Sequence, residues 1–211
     1  METIDQALVM PARVPTLDQP LALGVMASGS GSNFEALATA IARGDLNAEI
    51  RLLICNRPEA AAVARAERLG IPVQVLDHRQ HPSREDLDRA IVAAFRAAGV
   101  EWVAMAGWMR IITQVLLDAF PERLVNIHPS LLPSFKGIRA VEQALAAGVT
   151  LAGCTVHIVT LEMDSGPILI QAAVPVLPGD TAASLHARIQ VQEHRIFPRA
   201  IALAAAREAA N

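Results

Sequence analysis

The feature that most constrains the fold is a regular alternation of short, continuously apolar segments with segments whose apolar residues recur at helical spacing. The apolar segments predict strands over residues 21–27, 49–56, 72–77 and 101–107, and the periodic ones predict helices over 34–44, 60–70, 83–99 and 112–120. Continuously apolar strands separated by helices are typical of a parallel sheet covered on both faces. The sequence therefore predicts a Rossmann-like α/β fold with a mostly parallel sheet.

The pattern changes after Gly148. Two strands are predicted in succession, over 150–160 and 167–176, with the turn residues Met163–Gly166 between them, which indicates a hairpin-like extension of the sheet. A long helix over 181–209, bent near Pro198, completes the chain. We expect residues 21–211 to form a single domain and residues 1–20 to be an N-terminal extension of unknown role.

Composition excludes several classes of function. The formal charge is −3, aromatic residues make up 3% of the chain and Tyr is absent, so a basic or base-stacking nucleic-acid surface is not expected. No apolar run approaches the ~20 residues that cross a membrane, and the first twenty residues lack a signal-peptide pattern. Cys55 and Cys154 lie far apart in the sequence and form neither a metal-ligand pair nor a disulfide framework. We interpret them as buried thiols in a reduced compartment. The sequence predicts a cytoplasmic protein without a metal site.

A glycine-rich turn, Ser28–Asn33, connects the first predicted strand of the domain to the first helix. Glycines allow close approach of the backbone to a ligand, and free N–H groups at a helix start favour an anion such as phosphate. No Lys follows the last glycine, as it would in a P-loop, and the dinucleotide fingerprint is incomplete. On local evidence, a phosphate site and a simple tight turn with an Asn cap are equally good interpretations.

The segment NIHPSLLPSFKG, residues 126–137, brings an amide and an imidazole to the end of an apolar run. Side chains alternate along an extended segment, so Asn126 and His128 lie on the same face. Asp164 follows thirty-six residues after His128, in a turn where a carboxylate is also common for structural reasons. A carboxylate near a histidine stabilises the imidazolium as a general acid, and an Asn amide can hold an oxyanion. Because Ser130 lacks the setting of a nucleophile, the trio suits direct attack by one substrate on a carbonyl of another.

The sequence resembles the phosphoribosylglycinamide formyltransferase family, folate-dependent enzymes of purine synthesis. The similar segments, in order, are MASGSGSN, AGWMRII, NIHPSLLPSFKG, TVHIVTLEMDSGPILIQAAVPV and QVQEHRIFP. They run from about Leu21 to the end of the chain with compatible spacing. Residues 1–20 lie outside the resemblance.

The resemblance implies roles for the residues already singled out. The phosphate of glycinamide ribonucleotide is expected at Gly31, Ser32 and Asn33, and the resemblance adds Gln190 and Glu193 as further contacts to that substrate. Its amine would attack the formyl carbon of 10-formyltetrahydrofolate, the co-substrate, with no metal involved. His128 would act as general acid, Asn126 as oxyanion donor, and Asp164 would keep His128 charged and help remove the proton of the amine.

The resemblance also implies a folate site with an apolar slot for the pterin and a guanidinium for its glutamate tail. Its expected residues are Arg84, Met109, Arg110, Ile111, Ile112, Asn126, Thr160, Leu161, Glu162, Met163 and Asp164. For His157, a hydrogen-bonding role near the site is expected. The family varies after Pro133, so a contact from Lys136 or Arg139 to substrate stays open, residues around Gly137 suggest a mobile flap, and a cis Leu132–Pro133 bond is implied.

Three other functions compete with this interpretation. Methionyl-tRNA formyltransferase would need a further RNA-binding domain, which residues after Ala209 do not provide. A formyltetrahydrofolate hydrolase would keep the trio but has no use for the glycine-rich turn, and it is the principal alternative. A nucleotide-binding module would leave Asn126, His128 and Asp164 without a task. The expected partners are therefore small molecules, with the protein a monomer or a homodimer.

Overall fold

The computed structural model describes residues 7–11 and 14–209. Within these residues the strands are β1 Leu8–Met10, β2 Leu21–Ala27, β3 Ala48–Cys55, β4 Val73–Val75, β5 Trp102–Met105, β6 Leu124–His128, β7 Leu151–Ile158 and β8 Ile168–Pro175. The α-helices are α1 Ser32–Arg43, α2 Ala61–Leu69, α3 Arg84–Ala97, α4 Gln114–Ala119, α5 Ala140–Ala146 and α6 Ala182–Ala209, and a short 3-10 helix spans His78–Gln80.

All of these strands join one sheet in the order β1-β8-β7-β6-β5-β2-β3-β4. Strands β2 to β6 pair in parallel, whereas β7 is antiparallel to both β6 and β8, and β1 is antiparallel to β8. The chain order reverses between β2 and β5, and ligands of such sheets bind beyond the carboxyl ends of the strands at this kind of switch point. The topology therefore places a site after β2, β5 and β6.

Each face of the sheet is covered by its own apolar cluster. Leu23 and Val25 of β2 pack on the face covered by α1, α2 and α6, and Met26 packs on the opposite face under α3 and α4. Gly24 lies on that second face, where a Cβ would come within 2.7 Å of the Phe95 ring. A glycine is therefore required at this point for α3 to pack closely on the sheet.

The predicted α/β fold is confirmed, as are the six predicted strands, which correspond to β2–β5, β7 and β8, and the long C-terminal helix, to within a few residues. The extended segment that carries Asn126 and His128 is β6. At the start of α3, Ser83 Oγ accepts from the N–H of Asp86 at 3.0 Å and donates to its carboxylate at 2.7 Å. The Leu132–Pro133 bond is cis. Both cysteines are buried and unpaired.

Three features differ from the prediction. The β7–β8 connection runs over residues 159–167, longer than the four turn residues 163–166, because the apolar Val159 extended the predicted strand to residue 160. Helix α5 was missed because it is short and its N-cap, Arg139, is left-handed and makes no side-chain cap hydrogen bond. Strand β1 was missed because three residues with two exposed side chains carry little periodic signal.

Pro198 lies inside α6, which continues through it to Ala209. None of the helices within the described residues combines the length and apolar character needed to cross a membrane.

Candidate active site

A cavity of about 750 Å³ opens at the carboxyl ends of β2, β5 and β6. Its walls come from the turn after β2, the segment after β5, the end of β6, residues 137–142 at the start of α5, the β7–β8 connection and the first half of α6. The fold thus gathers residues from six separate parts of the sequence around one space.

Asn126 and His128 line the cavity from the C-terminal end of β6. They are two positions apart in one strand, so the prediction that they share a face is confirmed by the geometry. His128 is buried, with 6% of its surface exposed. Its Nε2 lies 2.9 Å from the carbonyl oxygen of Phe135, and its Nδ1 lies 3.4 Å from Oδ2 of Asp164. Each ring nitrogen of His128 therefore has an acceptor within reach.

His157 of β7 lies opposite Asn126 in the antiparallel ladder. Its Nδ1 lies 2.9 Å from the carbonyl oxygen of Ile158, and its Nε2 lies 3.2 Å from Nδ2 of Asn126. A carbonyl only accepts, so Nδ1 carries a proton, whereas Nε2 lies near both the Asn126 amide and the Asp164 carboxylate. Asn126 has two amide N–H bonds and at most one of them meets His157, which leaves the other for the cavity.

Asp164 completes the group from the β7–β8 connection, in a left-handed conformation with φ of 52° that a short polar residue tolerates. Its Oδ2 accepts from the N–H of Gly137 at 2.8 Å, and its Oδ1 lies 3.7 Å from Nε2 of His157. Burial raises the pKa of this carboxyl, but His157, the Gly137 N–H and His128 together lower it by more than burial raises it. The net pKa therefore lies below its ordinary value. Asp164 is therefore ionised at neutral pH.

The turn after β2 presents the start of α1 to the cavity. Gly31 has φ of 74°, and a Cβ there would lie 2.7 Å from Ala62 Cβ, so only glycine fits. The carbonyl oxygens of Gly29 and Ser30 accept from the Ala62 N–H at 3.2 Å and from Arg65 Nε at 2.8 Å. These bonds turn the carbonyls toward α2, and the first N–H groups of α1 have no partner within their helix. The geometry suits an anion.

Helix α6 is bonded directly to this turn. Gln190 Nε2 donates to Ser32 Oγ at 2.9 Å, and Asn33 Nδ2 donates to Glu193 Oε2 at 2.9 Å. Asn33 Oδ1 is buried without a partner among the described residues, so it is available to a ligand. Burial raises the pKa of Glu193, although the amide of Asn33 and the neighbouring His186 and His128 act in the opposite direction.

The segment after β5 and the β7–β8 connection form the apolar part of the cavity. Met109 and Ile111 are 67% and 58% exposed, and Leu161 and Met163 of the β7–β8 connection, which line the same cavity, are similarly exposed. The Met109 N–H donates to Ser28 Oγ at 2.8 Å, which ties this segment to the turn after β2. Exposed apolar side chains that line one cavity suit a flat ligand.

Most of the sequence-predicted site residues meet in this cavity, but two do not line it. Arg84 is the exposed first residue of α3, and Glu162 points its carboxylate to Lys136 Nζ at 3.4 Å. Lys136 also donates to the Ser165 hydroxyl. Arg139 does line the cavity and pairs with Glu142 at 3.6 Å.

Sequence reasoning missed His186, which lines the cavity four residues before Gln190. Its spacing of four from Gln190 and seven from Glu193 was the signal that could have identified it. Within the described part of the chain, no group of three His, Cys, Asp or Glu residues is arranged to hold a metal ion.

Comparison with known proteins places these features in a family. The family described as formyl transferase matches residues 22–201. The chain is 42% identical over 177 residues to phosphoribosylglycinamide formyltransferase of Bacillus subtilis (strain 168), covering 84% of this chain and 91% of that protein. It is 43% identical over 183 residues to the human trifunctional purine biosynthetic protein adenosine-3, covering 87% of this chain but only 18% of that longer protein.

Solved structures agree. The crystal structure of glycinamide ribonucleotide transformylase 1 from Symbiobacterium toebii has a TM-score of 0.88 and 45% sequence identity, covering 90% of this chain and 91% of that one.

Proposed function

Because the chain belongs to the phosphoribosylglycinamide formyltransferase group of the formyl transferase family, we propose that it formylates glycinamide ribonucleotide with 10-formyltetrahydrofolate as donor. The reaction is a step of de novo purine synthesis. The observation that carries the proposal is the convergence of Asn126, His128 and Asp164 in a cavity that also contains the start of α1. A formyl carbon and a phosphorylated amine therefore have places in one site.

The ribonucleotide binds along α1 and α6. Its phosphate lies at the N-terminus of α1, beside Gly31 and Ser32, where free N–H groups and the helix dipole favour an anion. The unpaired Oδ1 of Asn33 and the carboxyl of Glu193 accept hydrogen bonds from the remaining polar groups of this substrate. Gln190 fixes the Ser32 hydroxyl in the same region.

The formyl donor binds in the apolar half of the cavity. Its pterin lies between the side chains of Met109 and Ile111 and those of Leu161 and Met163, with backbone groups of residues 109–112 and 160–164 at its edges. Arg110 lines the same region, and its Nε is buried without a partner among the described residues. This arrangement directs the formyl group toward Asn126 and His128.

The reaction is a direct transfer. The lone pair of the ribonucleotide amine forms a bond to the formyl carbon, and the carbonyl electrons move to oxygen. The free N–H of Asn126 and the imidazolium of His128 donate hydrogen bonds to that developing oxyanion. When the carbon–N10 bond breaks and the carbonyl re-forms, N10 takes a proton from His128, the general acid, and tetrahydrofolate leaves. The amine loses one proton to Asp164, directly or through water, and passing that proton on to His128 restores the imidazolium.

In the structure, the His128 nitrogen that would donate to the oxyanion already has another partner. Its Nε2 is bonded to the carbonyl of Phe135, while Nδ1 faces Asp164. Phe135 and Arg139 are both left-handed, with φ of 56° and 59°, and Gly137 lies between them with φ of 79°. Segment 135–139 therefore moves when substrates bind and exchanges the Phe135 carbonyl for the formyl oxygen.

The function is tested by mixing the protein with 10-formyltetrahydrofolate, with and without glycinamide ribonucleotide, and following tetrahydrofolate release. We expect release to require the ribonucleotide and to match the formylated product one to one. Release at the same rate without the ribonucleotide would instead identify a formyltetrahydrofolate hydrolase and overturn the proposal.

A further inference from the structure

Successive turns of helix α6 contact successive residues at the start of α1. Glu193 contacts Asn33, and Gln190, one turn earlier, contacts Ser32. Moving toward the start of α6 thus corresponds to moving toward the start of α1. The next position on the same face of α6 is His186, four residues before Gln190. By this register, His186 lies beyond Gln190 in the direction of the turn that precedes α1.

The imidazole of His186 is available to a ligand. It lines the cavity and its side chain is exposed, and it forms no hydrogen bond or ion pair with another residue that the structure describes. Its charge nevertheless acts on the buried carboxyl of Glu193, which places the two groups in one electrostatic environment.

The described lining of the cavity contains few Lys or Arg side chains. The Lys and Arg residues among the described lining are Arg110, in the apolar half, and Arg139, which is paired with Glu142. Arg65 donates to the Ser30 carbonyl and pairs with Glu35, away from the cavity lining. Among the described residues, His186 is therefore the basic side chain that α6 contributes to the cavity lining for a phosphate dianion.

We propose that His186 binds the phosphate of the ribonucleotide, together with the N–H groups at the start of α1. This assignment rests on the proposed function and adds a specificity-determining residue to it. A charge-assisted hydrogen bond to phosphate stabilises the bound substrate in every state of the reaction, so it lowers KM for the ribonucleotide without changing kcat.

The test compares His186→Ala with the unmodified protein in steady-state assays of both substrates. We expect KM for the ribonucleotide to rise about 10-fold, with kcat and KM for the formyl donor unchanged. Inorganic phosphate, as a competitive inhibitor against the ribonucleotide, should lose affinity by a similar factor. His186→Arg should restore both values, because a guanidinium also binds phosphate.

The matched control is Val191→Ala, an exposed α6 position that does not line the cavity and should leave all constants unchanged. Wild-type KM and phosphate inhibition in His186→Ala would overturn the assignment, as would an equal rise in KM for the formyl donor. If the unmodified protein showed no ribonucleotide-dependent transfer, the proposed function itself would be rejected. The two failures are therefore distinguishable.

Discussion

At the scale of single residues, two carboxyl groups in one cavity have opposite electrostatics. Asp164 is surrounded by His128, His157 and a backbone donor, which lower its pKa despite burial. Glu193 is 4% exposed and has one amide donor, so burial dominates and raises its pKa. The number of donors around each carboxyl, rather than burial alone, decides which one is the reliable anion.

Glu193→Gln should increase stability at neutral pH. The raised pKa of Glu193 means that its contribution to folding is complete below the ordinary Glu value of about 4.3 and is lost as pH rises through the folded value. Gln mimics the protonated form and still accepts from Asn33. We expect a gain of about 1 kcal/mol, or roughly 2–4 °C in Tm, at pH 7.5, and none at pH 4. Thermal unfolding at both pH values measures it, and equal effects at both would contradict the assignment.

His128→Ala should reduce kcat by about 10²–10⁴-fold, the usual contribution of a general acid. Binding of both substrates and the circular dichroism spectrum should remain, because the side chain ends in the cavity rather than in the core. His81→Ala, a histidine outside the cavity, is the matched control. Unimpaired turnover in His128→Ala would refute the role given to the imidazole.

At the scale of elements, a buried carboxylate joins α3 to the segment after β5, whose residues 109–112 we call the proposed folate segment. Asp88 of α3 is 2% exposed, and its Oδ2 accepts from the Thr113 N–H at 2.6 Å and from the Thr113 hydroxyl at 2.8 Å. Thr113 caps α4 and directly follows the cavity residues 109–112. The position of the proposed folate segment therefore depends on a residue outside the cavity.

Asp88→Ala should destabilise the protein and weaken folate binding. Two buried donors of Thr113 lose their acceptor, which costs about 1–3 kcal/mol. We expect KM for the formyl donor to rise and KM for the ribonucleotide to stay constant. Asp88→Asn keeps an acceptor and should lose less on both measures. An equal change in both KM values would show that the effect is not local to the folate segment.

The elements also show how far the sequence could be interpreted. Strand alternation alone put Asn126 and His128 on one face of β6, and the structure confirms it. Asp164 was assigned from chemistry and family resemblance, because no local sequence pattern indicates that a residue thirty-six positions after His128 lies beside it in the fold. The Asn126–His157 pair depends on the antiparallel register of β6 and β7, which a single sequence does not contain.

At the scale of the whole molecule, we propose that residues 21–211 are the formyltransferase domain and that the preceding extension stabilises it. Strand β1 adds an edge to β8. Arg199 of α6 donates to the Pro11 carbonyl at 3.4 Å, and Asn47 donates to the Leu17 carbonyl at 3.0 Å. The extension thus contacts both the sheet edge and α6.

Val9→Asp tests this role of the extension. Val9 packs its side chain against the core, opposite Ala172 of β8, so a charge there should cost about 1–3 kcal/mol and lower Tm. Leu8→Asp is the matched control, because Leu8 is 68% exposed on the same strand. We expect kcat to be unchanged in both variants. Equal Tm values for the two would contradict the packing role.

The measurement that tests the central claim most directly is the single-turnover rate of formyl transfer by Asn126→Ala, with both substrates saturating. If the free N–H of Asn126 holds the oxyanion beside His128, the rate should fall about 10²–10³-fold while each tetrahydrofolate released still matches one formylated ribonucleotide. A wild-type rate in this variant would contradict the claim that the two side chains converge on the reacting carbonyl.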